Sequence, residues 1–433
     1  MTTTSYNRDL FQLLDNSPTP FHAVDYMSRV FLEHGFLRLR EEEKWKLEKG
    51  QSYFVVRNGS ALIAFTLGEQ QEISDGFCII TAHSDSPSLQ IKPRPDMNSQ
   101  GFHQLGVEVY GGCLLGPWFD RDLSIAGRVC CRQANGSLRV FLLDFKRPVL
   151  TIPSVAIHLK REANTTNTIN RQKDLPPVSG VFLDGKQPGF AERLREQLHR
   201  QYSAQDIAQI LSFDMFCYDV QKAAILGFDN DLIASSRLDN LLSAHACMQA
   251  MLTAAKQKNG LLYLANHEEN GSMSSTGAQG SFLNDIISRI STDNEQKYIA
   301  LRKSFLISVD NAHASHPNSP ELMDGEHPIL LNKGVVIKTN ANQRYTTDGI
   351  SSSIFQEICA EAGVTTQKFV MRSDMQCGST IGPLTAANLG VRALDIGAAS
   401  LGMHSIRELT GVLDPEFLYK TLYQSLQSEI QLV

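Results

Sequence analysis

The sequence predicts an α/β protein in which a mainly parallel sheet, covered by helices, is split by an inserted β-rich domain. Two observations support this prediction. Apolar runs of strand length alternate with helical patterns in the first and last parts of the chain, as expected for strands buried on both faces. Between residues 95 and 234 this alternation stops, and short β-like runs follow one another. We therefore assign 1–94 plus 235–433 to one domain and 95–234 to the insertion.

Length and composition limit the possible classes of protein. The chain has 433 residues, enough for two or three domains or for one large domain with an insertion. Its net charge of −6 contains no long run of one sign, so we expect neither nucleic acid nor a membrane surface as a partner. The sequence has no apolar run of about 18 residues and no signal-peptide pattern. Its eight scattered cysteines fit reduced thiols in a cytoplasmic protein.

The first part of the chain has one helical pattern and one hairpin pattern. Apolar residues recur at helical spacing within 8–35, where Pro20 suits the first turn of a helix and Gly35 suits its end. Tyr53–Arg57 and Ala61–Thr66 flank an Asn-Gly pair, which readily adopts the positive φ angles of a type I′ turn. We therefore predict a helical segment followed by a tight hairpin.

The remaining elements are predicted from short apolar runs and from one long helical pattern. Leu238–Ala255 has the composition and length of a strong helix. The runs predicted as strands are Gly76–Thr81, Leu261–Ala265, Phe305–Val309 and Val391–Ile396 in the α/β part, and Val107–Tyr110, Ala126–Arg132 and Leu138–Leu143 in the insertion, which also contains the predicted helix Ala191–Tyr202.

Three of the predicted strands run directly into acidic or imidazole side chains. The first leads to His83 and Asp85, the second to Glu268 and Glu269, and the third to Asp310. Because ligands of open α/β sheets bind at the carboxyl ends of the strands, we expect these side chains to meet at one edge of the sheet. Taken singly, the three motifs have simpler explanations as a surface turn, a solvated helix start and a helix cap.

A metal site explains these motifs together. The adjacent carboxylates of Glu268 and Glu269 repel each other unless a cation lies between them. A metal ion supplies that charge, with one carboxylate as a ligand and the other as the base for a water that the metal activates. Asp85 is spaced to accept a hydrogen bond from the second ring nitrogen of His83, which is common around metal-bound histidines.

Two further side chains complete a possible two-metal site. Asp239 lies at the start of the predicted helix 238–255, and His404 follows a glycine-rich stretch, although a helix cap and a loop histidine are the simpler roles. The mixed nitrogen and oxygen donors suit Zn²⁺, Mn²⁺ or Co²⁺ rather than a thiolate site. One bridging carboxylate would let two such ions sit about 3.5–4 Å apart.

Six segments of the sequence are similar, in order, to the motifs of the aspartyl aminopeptidases, the M18 peptidases. They extend over nearly the whole chain and depart from the family pattern at no metal or catalytic position. The segments are TAHSDSPSLQIKP (81–93), SSRLDN (235–240), HEENGSMSSTGA (267–278), SVDNAHA (308–314), MRSDMQCGSTIGP (371–383) and GMHSIRE (402–408).

The resemblance implies a role for each matching residue. The expected protein is an aminopeptidase with two divalent ions per subunit, with zinc as the first choice and manganese or cobalt as alternatives. Its catalytic domain is expected to be split by a β-rich dimerisation domain, in agreement with the change at 95–234. The implied ligands are His83 and Asp310 for one ion, Glu269 and His404 for the other and Asp239 as the bridge, with Glu268 as the general base and Asp85 orienting His83.

The resemblance also implies a substrate and an assembly. The family removes N-terminal Asp or Glu from peptides, which requires a cation for the substrate side chain, and Lys338, Arg344 and Arg372 are the candidates. His158 matches a histidine that reaches the site of a neighbouring subunit, although a buried strand histidine is an equal alternative. Family members form homo-oligomers, typically dodecamers built from dimers.

Other functions remain open at this point. The same ligand set serves aminopeptidases of broader specificity, carboxypeptidases and deacylases, and a substrate panel separates them. A non-catalytic assembly protein on a peptidase scaffold is a further alternative, but it predicts the loss of a ligand or of the base, and Glu268 is present.

Overall fold

The chain divides into two compact units, which we call the α/β unit and the β-rich unit. The α/β unit comprises Met1–Asp85, Ala223–Met403 and Glu408–Val433, and the β-rich unit comprises Ser86–Lys222 and His404–Arg407. The structure, a computed structural model, describes residues 3–166, 168–182, 188–203 and 207–428.

The first segment of the α/β unit contains the predicted hairpin and two helices. The helical segment predicted at 8–35 is interrupted at 17–19, because Pro20 fits the first turn of a new helix but not a helix interior. Asn58 and Gly59 have φ angles of 51° and 67°, as the predicted type I′ turn requires. The elements are α1 (Thr3–Asn16), α2 (Pro20–Glu33), β1 (Leu37–Leu39), β2 (Ser52–Arg57), β3 (Ala61–Thr66) and β4 (Cys78–His83).

The β-rich unit is an antiparallel sheet packed against one helix. Phe190, Leu194 and Leu198, at helical spacing, are the buried residues of that helix, which matches the predicted helix in the insertion. The elements are β5 (Ser88–Ser99), β6 (Phe102–Tyr110), β7 (Leu123–Gln133), β8 (Leu138–Asp144), β9 (Val178–Val181), α3 (Phe190–Tyr202) and β10 (Ile207–Asp219), and the strand order is β8-β7-β10-β5-β6-β9.

The second part of the α/β unit alternates strands and helices, as predicted. None of the helices in the described ranges has both the length and the apolar composition needed to cross a membrane. The elements are β11 (Ala224–Leu226), β12 (Leu232–Ser235), α4 (Leu238–Thr253), β13 (Gly260–Ala265), α5 (Phe282–Ile290), α6 (Asn294–Lys303), β14 (Phe305–Val309), β15 (Ala312–His313), β16 (Val335–Thr339), α7 (Gly349–Glu361), β17 (Thr366–Val370), α8 (Ile381–Leu389), β18 (Arg392–Gly397), β19 (Ala399–Leu401), β20 (Glu408–Gly411) and α9 (Asp414–Gln427).

A nine-stranded sheet forms the centre of the α/β unit. Its order is β1-β2-β3-β13-β4-β14-β18-β16-β17, and the central strands β13, β4, β14 and β18 are mutually parallel. Both faces are covered: Ile80 and Ala82 of β4 pack in one core with α1, α2, α4 and α9, whereas Ile79 packs in the other with α5, α6 and α8. A smaller sheet has the order β11-β12-β20-β19-β15. The α/β fold with a mainly parallel sheet is therefore confirmed.

The main segment of the β-rich unit, Ser86–Lys222, starts and ends earlier in the chain than the insertion predicted at 95–234. At its start, β5 begins at Ser88 and runs through residue 95 without a break. At its end, β11 pairs with β12 and β12 pairs with β20, all within the α/β unit. Short β-like runs occur in both units, so the sequence pattern cannot separate them at these points.

Candidate metal centre

The carboxyl ends of three neighbouring strands carry the main donor side chains. The strands β13, β4 and β14 are parallel, and Ala265, the last residue of β13, pairs with His83, the last residue of β4. Asp310 directly follows the end of β14. The donor atoms of His83, Asp239 and Asp310 lie within 4.8 Å of one another. The predicted meeting of these side chains at one sheet edge is therefore observed.

His83 directs one ring nitrogen towards carboxylates and the other towards Asp85. Its Nε2 is 3.5 Å from Asp239 Oδ1, 3.7 Å from Asp310 Oδ1 and 4.0 Å from Glu268 Oε2. Its Nδ1 is 3.1 Å from the main-chain oxygen of Asp85 and 3.5 Å from the Asp85 carboxylate. A proton on Nδ1 satisfies this carbonyl and leaves the Nε2 lone pair free to bind a metal ion.

Asp85 also fixes the turn that carries the two glutamates. Its Oδ1 accepts a hydrogen bond from the backbone N–H of Glu268, and its Oδ2 accepts one from Glu269, both at 3.2 Å. The turn is a single 3₁₀ turn, Glu268–Asn270, entered through His267 with a left-handed φ of 61°. The sequence predicted only that Asp85 orients His83, because the contact with the glutamates spans more than 180 residues.

Two carboxylates of the cluster, those of Glu268 and Glu269, have raised pKa values. Burial, together with the charges of Asp310, Asp85 and Asp239, raises the pKa of Glu268 to about 8 against the opposing effect of His83. Burial and the charge of Asp239 likewise raise the pKa of Glu269 well above its ordinary value. Divalent cations would remove this repulsion, and the donor set of imidazole and carboxylate suits zinc, manganese or cobalt.

Burial lowers the pKa of His83, but the carboxylates of Asp239, Asp310 and Asp85 outweigh this effect and raise it well above its ordinary value.

The donor atoms of His83, Glu268 and Glu269 also lie within 4.8 Å of one another. Glu268 is therefore close enough to act as a ligand as well as a base.

The simple helix-cap explanation fails for Asp310, and Asp239 lies in an irregular first turn of α4. Asp239 and Asn240 have non-helical backbone angles, and the backbone N–H of Asp239 donates to Glu408 Oε2 at 2.9 Å. Asp310 precedes the short strand β15 rather than a helix. The sequence did not predict a role for Glu408, although this buried carboxylate is the last residue of the GMHSIRE segment.

His404 belongs to the short segment His404–Arg407 of the β-rich unit. It has a left-handed φ of 68°, its Nδ1 is 3.1 Å from the main-chain oxygen of Gly112, and its own carbonyl accepts from the N–H of Leu114 at 3.0 Å. Its ring is thus held by a loop of its own unit. Its role as a metal ligand stays a prediction.

Lys338 is fully buried beside the cluster. Its Nζ donates to the main-chain oxygens of Asp310 at 2.8 Å and of Asn311 at 3.3 Å, and it lies 3.6 Å from Asp310 Oδ2. The same ammonium is 5.1 Å from the centre of the Tyr345 ring. These contacts balance the charge of Asp310, a role that the sequence did not predict for Lys338.

The other residues that were predicted to bind the substrate differ in whether they already form ion pairs within the protein. Arg344 is exposed, and its guanidinium forms no ion pair within the described ranges. Arg372 forms a two-bond pair with Asp374, at 3.0 and 2.6 Å, and also donates to the carbonyl of Glu321. His158 lies exposed in a turn, so the alternative of a buried strand histidine is wrong.

Comparison with known proteins identifies the family. Residues 13–426 match the family model described as aminopeptidase I zinc metalloprotease (M18). The chain is 46% identical over 419 residues to "Probable M18 family aminopeptidase 2" of Azotobacter vinelandii (strain DJ / ATCC BAA-1303), covering 97% of each chain. It is also 46% identical over 416 residues to the protein of the same name from Pseudomonas savastanoi pv. phaseolicola (strain 1448A / Race 6), covering 96% of each.

Solved structures agree with this assignment. The cryo-EM structure of the Ape4 and Nbr1 complex matches with a TM-score of 0.95 and 35% identity, over 98% of this chain and 86% of the other. The S. cerevisiae mApe1 dodecamer matches with a TM-score of 0.84 and 25% identity, over 97% and 96% of the two chains. The M18 aminopeptidase from Thermotoga maritima, 23% identical with a TM-score of 0.85 over 99% and 97%, shares the fold. The chain therefore belongs to the M18 family of zinc aminopeptidases.

Proposed function

We propose that this protein is a two-metal aminopeptidase that removes N-terminal aspartate and glutamate from peptides. The observation that carries the proposal is the buried cluster at the carboxyl edge of the nine-stranded sheet. There His83 Nε2 faces Asp239 and Asp310 at 3.5 and 3.7 Å, next to the turn of Glu268 and Glu269. Membership of the zinc aminopeptidase family supplies the class of reaction.

In this proposal His83 and Asp310 would hold one ion, Glu269 and His404 would hold the other, and Asp239 would be a ligand of both. Zinc is the first choice, in line with the description of the family, and manganese or cobalt also fits the donors. When bound, the ions lower the pKa of water and polarise the carbonyl of the scissile peptide bond.

The side chains of this chain perform the proton transfers. Glu268 takes a proton from the attacking water, whose oxygen adds to the peptide carbonyl carbon, and then delivers that proton to the leaving amine. The Asp85 carboxylate accepts a hydrogen bond from the backbone N–H of Glu268 at 3.2 Å. This bond fixes the turn and so keeps the carboxylate of Glu268 close to the cluster. Burial raises the pKa of Glu268, whereas bound cations would lower it. These two opposing effects together determine how readily Glu268 takes and releases a proton.

We assign the acidic specificity chiefly to Arg344. Its guanidinium is exposed and has no ion-pair partner in the described ranges, so it is free to meet a substrate carboxylate. Lys338 contributes positive potential beside Asp310, although its ammonium is already engaged there. Arg372 is the weakest of the three candidates, because Asp374 already neutralises it.

The test is a panel of aminoacyl-anilide substrates with N-terminal Asp, Glu, Leu, Ala or Lys. Each is assayed with the purified protein, after chelation, and after zinc, manganese or cobalt is restored. We expect chelator-sensitive cleavage confined to Asp and Glu. Metal-dependent cleavage of neutral substrates would favour an aminopeptidase of broader specificity, and cleavage of acylated substrates alone would favour a deacylase.

A single variant tests whether Arg344 binds the acidic side chain of the substrate. Arg344→Gln should raise KM for Asp substrates about 10–100-fold, the range for losing one charge-assisted hydrogen bond. Arg38→Gln, which removes an exposed arginine from β1, is the matched control and should change nothing. An unchanged KM in Arg344→Gln refutes the assignment of Arg344.

We also propose a cytoplasmic homo-oligomer built from dimers, with twelve subunits as the expected size. A relative with 25% identity, S. cerevisiae mApe1, has been solved as a dodecamer. His158 lies on an exposed turn, from which it would reach the site of a neighbouring subunit and help to hold the substrate carbonyl. Within the described ranges the eight cysteines form no disulfide, which fits a reducing compartment. Light scattering of the purified protein gives the subunit number, and a monomeric mass would refute this part.

A further inference from the structure

A buried carboxylate on β18 joins two loops of the α/β unit. Asp395 is fully buried, and its Oδ2 accepts from the backbone N–H of Thr346 at 2.6 Å and from the Thr346 hydroxyl at 2.9 Å. Its Oδ1 accepts from the hydroxyl of Thr380 at 2.6 Å. We call 340–347, between β16 and α7, the Arg344 loop, and 371–380, between β17 and α8, the α8 entry loop.

The two loops are held closely against this carboxylate. The backbone N–H of Asp395 donates to the hydroxyl of Thr347 at 2.9 Å, so the Arg344 loop is bound from two sides. Gly382, in the first turn of α8, leaves no room for a side chain, because a Cβ there would lie 2.6 and 2.7 Å from the two carboxylate oxygens of Asp395. This close packing restricts the position of the Asp395 carboxylate and therefore the geometry of its hydrogen bonds to the two loops.

Lys338 links the Arg344 loop to Asp310 of the candidate metal centre. Tyr345 is buried, with the ammonium of Lys338 5.1 Å from its ring centre, and Lys338 donates to the carbonyl of Asp310. The hydroxyl of Ser379, in the α8 entry loop, donates to the main-chain oxygen of Arg344 at 3.3 Å. The backbone around Arg344 is therefore fixed by the α8 entry loop on one side and by Asp395 on the other.

We infer that Asp395 is a positioning residue for substrate selectivity, which acts by fixing the Arg344 loop beside Asp310 without touching the substrate. The inference rests on the proposed function, in which Arg344 binds the acidic side chain. A carboxylate fits this position, since each of the three groups that face its two oxygens donates a hydrogen bond to it. An asparagine would turn its own N–H₂ donors towards at least one of them.

The test is Asp395→Asn, assayed on matched substrates with N-terminal Asp and Ala. We expect the ratio of kcat/KM for Asp over Ala to fall by about tenfold or more, mainly through KM for the Asp substrate. The kcat for the Ala substrate should stay within about threefold of that of the unmodified protein. An equal loss on both substrates would mean a merely structural role and would overturn the inference.

Asp414→Asn is the matched control. Asp414 is also a buried carboxylate that accepts backbone N–H groups, from Asn332 at 2.9 Å and Gly411 at 3.1 Å, but it lies at the start of α9. It should lower stability without changing the Asp-to-Ala ratio. A fall of the ratio in this variant as large as in Asp395→Asn would also overturn the inference.

If Asp395→Asn does not fold, the double variant Thr346→Val with Thr380→Val replaces it. This variant removes two hydroxyl donors and keeps the backbone bond from Thr346. A lowered ratio supports the role of Asp395, and an unchanged ratio refutes it. The unmodified protein is measured first: if it does not prefer Asp over Ala, the proposed specificity fails separately, before any variant is compared.

Discussion

Replacing Glu268 by glutamine removes the proposed base and leaves the five proposed metal ligands in place. General-base catalysis contributes about 10²–10⁴-fold to a rate, which corresponds to about 3–5 kcal/mol in the barrier. The structure argues for the upper half of this range, because the neighbouring carboxylates are already engaged. Asp85 accepts from two backbone N–H groups, and Asp310 lies 3.6 Å from the ammonium of Lys338. We therefore expect kcat to fall about 10³–10⁴-fold.

The assay measures kcat on a substrate with an N-terminal Asp, and atomic absorption measures the metal content of the same sample. Full metal content with a strongly reduced kcat agrees with the role of Glu268 as the base. Full metal content with kcat within about tenfold of the unmodified protein would refute it. Loss of one metal equivalent would instead make Glu268 a ligand, a role that its closeness to His83 and Glu269 also allows.

Three further predictions concern stability. Asp85→Ala removes the acceptor of two backbone N–H groups, those of Glu268 and Glu269. Urea unfolding of the metal-free protein should therefore show a free energy of unfolding that is lower by about 2–6 kcal/mol, at about 1–3 kcal/mol for each group. A decrease below about 0.5 kcal/mol contradicts this prediction. Because the raised pKa values of Glu268 and Glu269 mean that the folded protein binds more protons than the unfolded chain, the Tm of the metal-free protein should fall as pH rises from about 5 to about 8, and saturating zinc should abolish the fall. An equal slope with and without zinc would count against this. Gly59→Ala places a side chain at a φ of 67° with open space around it, which should cost about 1 kcal/mol of backbone strain, whereas Gly349→Ala, at the start of α7, should be neutral; equal Tm changes in these two variants contradict the turn assignment.

The sequence was sufficient for the features that depend on local pattern. The strands β4, β13 and β14 are apolar runs that end in polar residues, so their type and their ends could be predicted together with the edge at which His83 and Asp310 meet. The Asn-Gly hairpin could be predicted for the same reason, since the two residues after Arg57 determine the turn by their own backbone preferences.

The features that the sequence did not predict depend on contacts between distant segments. The burial of Lys338 follows from the packing of β16 beside the carbonyl of Asp310, and nothing in the local sequence VVIKT separates it from an exposed lysine. Glu408 reaches the backbone of Asp239 across 169 positions of the chain. Asp395 shows no pattern of its own, because its hydrogen-bond partners come from two other loops.

The position of Asp85 limits how the metal preference of such a site can be redesigned. Its main-chain carbonyl holds the ring of His83, while its two carboxylate oxygens hold consecutive amides of the turn that bears Glu268 and Glu269. A substitution of His83 intended to favour a harder ion alters what Asp85 contacts, and Asp85 also holds the turn that carries Glu268, the proposed base. Ligand and base therefore have to be redesigned together, with the turn re-optimised for each new ion.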